Sequence, residues 1–184
     1  VVRVDAAGRV VEGTSAPSEF LDLHLLLYAR RPDLACVVHN HPRWSLVFAA
    51  ANAPLLVLDQ QSALFFERHL VYDEYRGLAK GADKTLPAVD AMLAQGAHTA
   101  YLRSHGLVTC GASLEEALFR AIYAERAAEL TCRAYATADG PLAMDDEVAR
   151  ATRDAFERHD PPVVALNAAA LYRDVVRTDP TVLR

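Results

Sequence analysis

A chain of 184 residues is long enough for one domain with a sizeable core, and 52% apolar with 23% charged residues is the balance of a globular protein, not a disordered one. A formal net charge of −5 lacks the basic footprint that a nucleic-acid partner needs, and no apolar run approaches the roughly 20 residues that span a bilayer. Cys36, Cys110 and Cys132 are an odd, scattered set without CxxC spacing; with no signal peptide visible, they read as reduced thiols of a cytoplasmic protein.

In chain order, Val1–Val4 and Arg9–Glu12 around Asp5-Ala6-Ala7-Gly8 predict a β-hairpin. Ser15 or Ser18 can cap a helix running to about Arg31, with Pro17 in its first turn. That helix is apolar on nearly every side and is expected to be largely buried. The apolar run Leu34–Val38 leads into His39-Asn40-His41-Pro42. Trp44–Ala51 predicts a short helix and Leu55–Leu58 a strand, whereas Asp59–Asp83 follows no single period. Leu86–Gln95 is helical and closed by Gly96. Thr99–Arg103 and Leu107–Cys110 are strand-like, interrupted by Ser104-His105-Gly106. Ser113-Leu114-Glu115-Glu116 is a capping box for a long helix to Ala138, stopped by Gly140-Pro141. Helices over Asp145–His159 and Ala165–Val176 complete an α/β layered domain, in whose sheet the hairpin implies some antiparallel pairing. No glycine-rich dinucleotide or phosphate loop is present.

His39 and His41 carry the chemistry. Side chains at i and i+2 of a strand share a face, so both imidazoles point one way, and Pro42 ends the ladder because it has no N–H. They supply two of the three protein ligands of an open, catalytic-type metal site. His105 is the candidate third: it sits at a strand break before Gly106, where the backbone can turn sharply or another group can approach closely. Three neutral imidazoles suit Zn²⁺, and Mn²⁺, Fe²⁺ or Co²⁺ are compatible by ligand type. The same pattern also describes a polar strand end and an ordinary loop histidine.

The motifs Ala16-Pro17-Ser18-Glu19, His24 through Tyr28-Ala29-Arg30-Arg31-Pro32-Asp33, Val37-Val38-His39-Asn40-His41-Pro42, Leu102-Arg103-Ser104-His105-Gly106-Leu107-Val108 and Gly111–Ala117 make the chain resemble the class II aldolase/adducin family over roughly Val2 to Ala138. The resemblance implies a three-layer α/β/α fold with a mixed, partly antiparallel central sheet. It implies one domain over 1–184 that lacks the family's N-terminal segment. It also implies that His39, His41 and His105 bind a divalent metal, usually zinc, which chelates two adjacent substrate oxygens and holds the enediolate left by carbon–carbon cleavage. The family's acid/base carboxylate falls at Glu19, but it stands four positions before the helix histidine in the family and five before His24 here. Register counted back from His39 places Phe20 in that slot, with Glu67 and Tyr72 as alternative proton carriers.

The family's phosphate-holding Gly-Asn-x-Ser and Thr-x-(Ser)-Gly segments are not in this chain, and Pro17 or Ser18 stands where a further serine is expected. This implies an unphosphorylated substrate or a missing N-terminal part. Leu58-Asp59-Gln60-Gln61 and the tail from Leu171 to Pro180 are more similar to the decarboxylase and adducin-like branches. The expected activity is therefore a metal-dependent lyase, first a decarboxylase of a hydroxy or dihydroxyaromatic acid, with Arg103 or Arg43 as a carboxylate anchor. The alternatives are a sugar-phosphate aldolase, epimerase or dehydratase, an iron-dependent oxygenase, and a non-catalytic adducin-like interaction domain. The resemblance further implies a small-molecule substrate and a homotetramer with sites between subunits, completed by Tyr72, Tyr75 or Tyr172.

Overall fold

A computed structural model describes residues 1–77, 81–137, 140–159 and 161–183 of the chain. Strands β1 (Arg3–Val4) and β2 (Val10–Glu12) precede helix α1 (Leu21–Arg30), strand β3 (Cys36–Asn40) and helix α2 (Arg43–Ala51). A 3₁₀ turn (Ser62–Phe65) then leads to β4 (His69–Tyr72), α3 (Ala82–Gln95), β5 (Thr99–Leu102) and β6 (Gly106–Gly111). Helices α4 (Leu114–Thr137), α5 (Asp146–His159) and α6 (Pro161–Thr178) follow. No described helix is long and apolar enough to cross a membrane.

The central sheet has the order β3-β6-β5-β4, antiparallel between β3 and β6 and between β6 and β5, and parallel between β5 and β4. Every residue of β5 and β6 is buried, because helices cover both faces. Leu23 and Leu27 of α1 with Val89 and Met92 of α3 pack on the face that carries Val37, Ala100 and Val108. On the other face Tyr101 and Leu107 meet Phe48 of α2 and the alanines 124, 127 and 128 of α4, small residues that let the helix lie close. The fold is a three-layer α/β/α sandwich around a mixed sheet.

Several sequence expectations are corrected. The hairpin forms its own two-stranded sheet and does not join the central one. Leu55–Leu58 is not a strand: the Leu56 N–H donates to Thr131 Oγ1 at 3.2 Å, and the Val57 carbonyl accepts from the Met144 N–H at 2.8 Å. Side-chain and loop groups thus satisfy a backbone that would otherwise need a ladder. The unassigned stretch hides β4, only four residues long and set between Arg68 and Asp73. Helix α1 starts at Leu21, because Ser18 spends its hydroxyl on the Phe20 N–H (3.2 Å) and its carbonyl on the Leu21 N–H (3.1 Å) in a local turn. Its buried face is narrower than expected, with Leu23 and Leu27 inside and Tyr28 to Arg30 exposed. Helices α3 and α6 each begin about a turn earlier than the periodicity suggested. The capping box at Ser113 is present, with the Glu116 N–H donating to Ser113 Oγ at 3.1 Å. Ala138, its expected end, lies outside the described residues.

Two carboxylates tie the layers together. Pro42 opens α2 without a side-chain cap, and Glu125 of α4 takes that role across the interface. Its two oxygens accept the Trp44 and Ser45 N–H groups, each at 2.7 Å, and the Ser45 hydroxyl at 2.8 Å. An anion at a helix N-terminus is favoured both by the orphan N–H groups and by the helix dipole. At the far edge Glu67, in a left-handed conformation (φ 58°), pairs with Arg150 and with the buried Arg153 of α5, each at 2.7 Å. The Arg150 and Arg153 guanidinium groups hold the Glu67 carboxyl at about 2, below its ordinary 4.5.

Glu125→Ala is expected to lower unfolding stability by about 2–3 kcal/mol, since it strands charge-assisted bonds in a partly buried place. A urea midpoint that does not move would refute that capping role. For Glu67 the lowered value means its contribution is complete above pH 4.5, wanes as pH falls below that, and is gone below about 2. The protection of α5 amides against hydrogen exchange, relative to their intrinsic rates at each pH, should therefore fall between about pH 4.5 and 2 in the native chain, and much less so in Glu67→Gln, where no carboxylate is left to titrate.

Candidate metal centre

Because β6 runs antiparallel to both β3 and β5, while β4 is parallel to β5, strands β3, β5 and β4 all point the same way. Their C-terminal ends meet at one rim of the sheet, where open α/β sheets present their binding groups. His39 is the penultimate residue of β3, His41 lies just past its end, and His105 sits in the turn from β5 to β6.

The three imidazoles converge. Ring centroids are 5.1 Å apart for His39 and His41, 4.9 Å for His39 and His105, and 5.2 Å for His41 and His105. One nitrogen from each lies within 4.8 Å of the others. His39 Nδ1 bonds the Leu107 carbonyl at 3.0 Å, so it carries the proton and leaves Nε2 as the lone-pair nitrogen. Nε2 of His39 and Nε2 of His105 are buried with no hydrogen-bond partner. Orphaned buried nitrogens are costly, and a divalent cation shared among the three rings would satisfy them. Burial, reinforced by the neighbouring imidazoles, lowers His39 to about 4 despite the Leu107 carbonyl; burial, then His41, lowers His105. Both are neutral near pH 7, the form that ligates a metal.

Gly106 explains why a glycine follows the third histidine. A Cβ there would lie 2.4 Å from His41 Cδ2 and 2.5 Å from the Asn40 carbonyl oxygen. Close approach, not an unusual backbone angle, is what the position requires. The left-handed residue of this turn is Ser104, at φ 56°.

Phe20 covers the cluster, its ring centroid 5.5 Å from His39, 6.4 Å from His41 and 5.1 Å from His105. The late start of α1 places it there. Glu19 is exposed beside it and is not among the residues lining the adjoining cleft. That cleft joins Phe20 and His105 to Tyr72, Glu74, Arg76 and Arg103. Tyr72 donates its hydroxyl to Glu74 Oε2 at 3.3 Å, and burial followed by the Glu74 charge raises its pKa, keeping the phenol protonated. Sequence reasoning missed Glu74, Arg76 and Lys84, because β4 was unassigned and nothing local linked that stretch to His105.

Other candidates lie elsewhere. Glu67 is committed to α5, Arg43 stacks over Trp44 at 5.8 Å, and Tyr172 is exposed on α6 and absent from the cleft lining. Tyr75 does line the cleft. All three thiols are raised by burial, Cys110 to about 12, which suits packing and not nucleophilic attack.

Comparison with known proteins matches residues 1–132 to the model of the class II aldolase and adducin N-terminal domain. Among curated proteins, the chain is 30% identical over 138 residues to 4-hydroxy-3-prenylphenylpyruvate oxygenase/4-hydroxy-3-prenylbenzoate synthase of Streptomyces roseochromogenus subsp. oscitans, covering 75% of this chain and 49% of that protein. It is 31% identical over 119 residues to the decarboxylase NovR of Streptomyces niveus, covering 64% of this chain and 43% of the relative. The chain thus spans less than half the length of these two relatives. Among solved structures, an aldolase II superfamily protein from Pseudomonas syringae superposes with a TM-score of 0.82 at 27% identity, over 96% of this chain and 71% of that one. With the family model covering well over half of its residues, the chain belongs to the class II aldolase and adducin N-terminal domain family.

Proposed function

We propose that this protein is a divalent-metal-dependent carbon–carbon lyase acting on a small molecule, in the first place a decarboxylase of a hydroxy or dihydroxyaromatic carboxylic acid. The observation that carries the reading is the pair of buried, partnerless Nε2 atoms on His39 and His105, converging with His41 beside a cleft. A divalent metal held by these three histidines, zinc first, supplies Lewis-acid polarisation of adjacent substrate oxygens. His39 is held in the ligating tautomer by the Leu107 carbonyl, and Gly106 gives His41 room to turn inward. Phe20 packs its ring against the His39 and His105 side of the cluster. Tyr72, protonated and hydrogen-bonded to Glu74, is the proton carrier that the cleft favours, and Glu19, exposed beside Phe20 and outside the cleft lining, is the second. The decarboxylase assignment is supported by the similarity to NovR. The reading includes a homotetramer located in the cytoplasm.

A second reading, iron-dependent oxygenation, draws on the similarity to the Streptomyces roseochromogenus protein. Iron loading with oxygen uptake favours it, whereas zinc or manganese loading with CO₂ release favours the lyase.

Metal analysis and CO₂ release across hydroxy acids test the proposal. His41→Ala is expected to abolish stoichiometric metal binding and activity together; retained activity would refute the three-histidine centre. Gly106→Ala should weaken zinc binding by about 10- to 100-fold, the cost usual for disturbing a ligand's support. Calorimetric titration reads this directly, and an unchanged affinity would show that the close approach of Gly106 to His41 does not support the site.

A further inference from the structure

The cleft beside the histidines is electrically unlike the rest of the chain. Against a net charge of −5 overall, it is lined by Arg76, Lys84 and Arg103 with Glu74 as its acid. Glu74 is already committed, because it accepts from Arg76 Nε at 2.9 Å and from the Tyr72 hydroxyl. Among the described residues, the side chains of Arg103 and Lys84 have no ion-pair partner. A cleft with uncompensated cations and partly apolar walls concentrates anions.

Of these two cations, Arg103 is the one carried on the turn that also carries His105. Its backbone N–H donates to the Tyr72 carbonyl at 2.9 Å, which pins it to the end of β4. The same turn is closed by the His105 N–H donating to the Leu102 carbonyl at 3.0 Å, with Ser104 left-handed between them. Arg103 is therefore held two residues from His105 and faces the same cleft. Lys84, on the first turn of α3, is a flexible point charge without a planar fork. Phe20, Leu23, Ala88 and Leu102 supply the apolar part of the lining.

We propose that Arg103 is the anion anchor of this cleft, so that the substrate is an acid whose oxyanion pairs with the guanidinium while its adjacent oxygens lie at His39, His41 and His105. The inference rests on the metal reading above and adds to it the group that holds the substrate's anion and where that anion sits relative to the metal. A carboxylate and a phosphate ester share the required chemistry, since each offers two oxygens to a bidentate pair. The apolar wall formed by Phe20 and Leu23 favours a compact, largely apolar body between the two ends. An Arg-paired carboxylate is stabilised as the anion and is therefore a poor leaving group. In a decarboxylation the group on Arg103 is accordingly one that the product keeps.

Calorimetry on the zinc-loaded protein, with catechol, 3,4-dihydroxybenzoate and phosphoglycolate as probes, tests this. The wild type should bind at least one of the two anions about tenfold or more tightly than neutral catechol, equivalent to about 1.4 kcal/mol. Arg103→Gln should erase that advantage while leaving zinc stoichiometry and catechol affinity unchanged, and Arg103→Lys should restore part of it. A loss confined to the benzoate assigns a carboxylate, and a loss confined to phosphoglycolate assigns a phosphate. No anion preference in the wild type, or a preference that survives in Arg103→Gln with zinc still bound, overturns the anchor alone. Failure of the wild type to hold zinc overturns the metal reading beneath it.

Discussion

The register of β3 against β6 is the constraint on which the candidate site depends. His39 stands opposite Val108 and Asn40 opposite Leu107, and this pairing brings the end of one strand beside the start of the other. It aligns His39 Nδ1 with the Leu107 carbonyl and sets His41 against Gly106. Side chains alternate with a period of two, so a slip of one residue would turn His39 to the α2/α4 face and separate the imidazoles. The backbone ladder that builds the core also builds the ligand cluster.

Around this register the helices act as positioning devices. Glu125 caps α2 from α4 and so steadies the Pro42 corner directly after His41. The turn made by Ser18 delays α1 and delivers Phe20, not a carboxylate, to the space above the rings. Burial keeps His39 and His105 neutral in a chain that is acidic overall. Neutral imidazoles under an apolar lid can give up their lone pairs to a cation without first losing protons.

The cleft beside the cluster divides its labour by polarity. Its apolar wall comes from α1 and α3, which also close the core on that face. Most of its charged and hydroxyl groups come from the ends of β4 and β5 and the segments that follow them, with Lys84 and Thr85 added from the first turn of α3. Two strands parallel to each other thus aim Tyr72 and Arg103 into the same space that His105 borders. Family membership speaks for the scaffold, whereas the selection of a substrate lies in these rim side chains, where folds of one kind diverge in function.

Much of this was legible in the residues. The His39–His41 pair, the strand break at His105, the capping box at Ser113 and the alternation of strands with helices are local patterns, set by side-chain period and backbone chemistry within a few positions. Strand β4 was not legible, because four residues between charged neighbours carry too little periodicity and become a strand only through pairing with β5. The false strand at Leu55–Leu58 has the reverse cause: an apolar run whose partners proved to be Thr131, Ser62 and Met144. Sequence alone thus determined which side chains could ligate a metal and the α/β class around them, since both follow from short-range spacing. Register along the chain already pointed to Phe20 at the site, but tertiary structure alone decided that its ring lies against the imidazoles, that Gly106 serves His41, and that Arg103 shares a cleft with Tyr72. Each of these depends on contacts between segments far apart in the chain, which only the packed sheet and helices bring together.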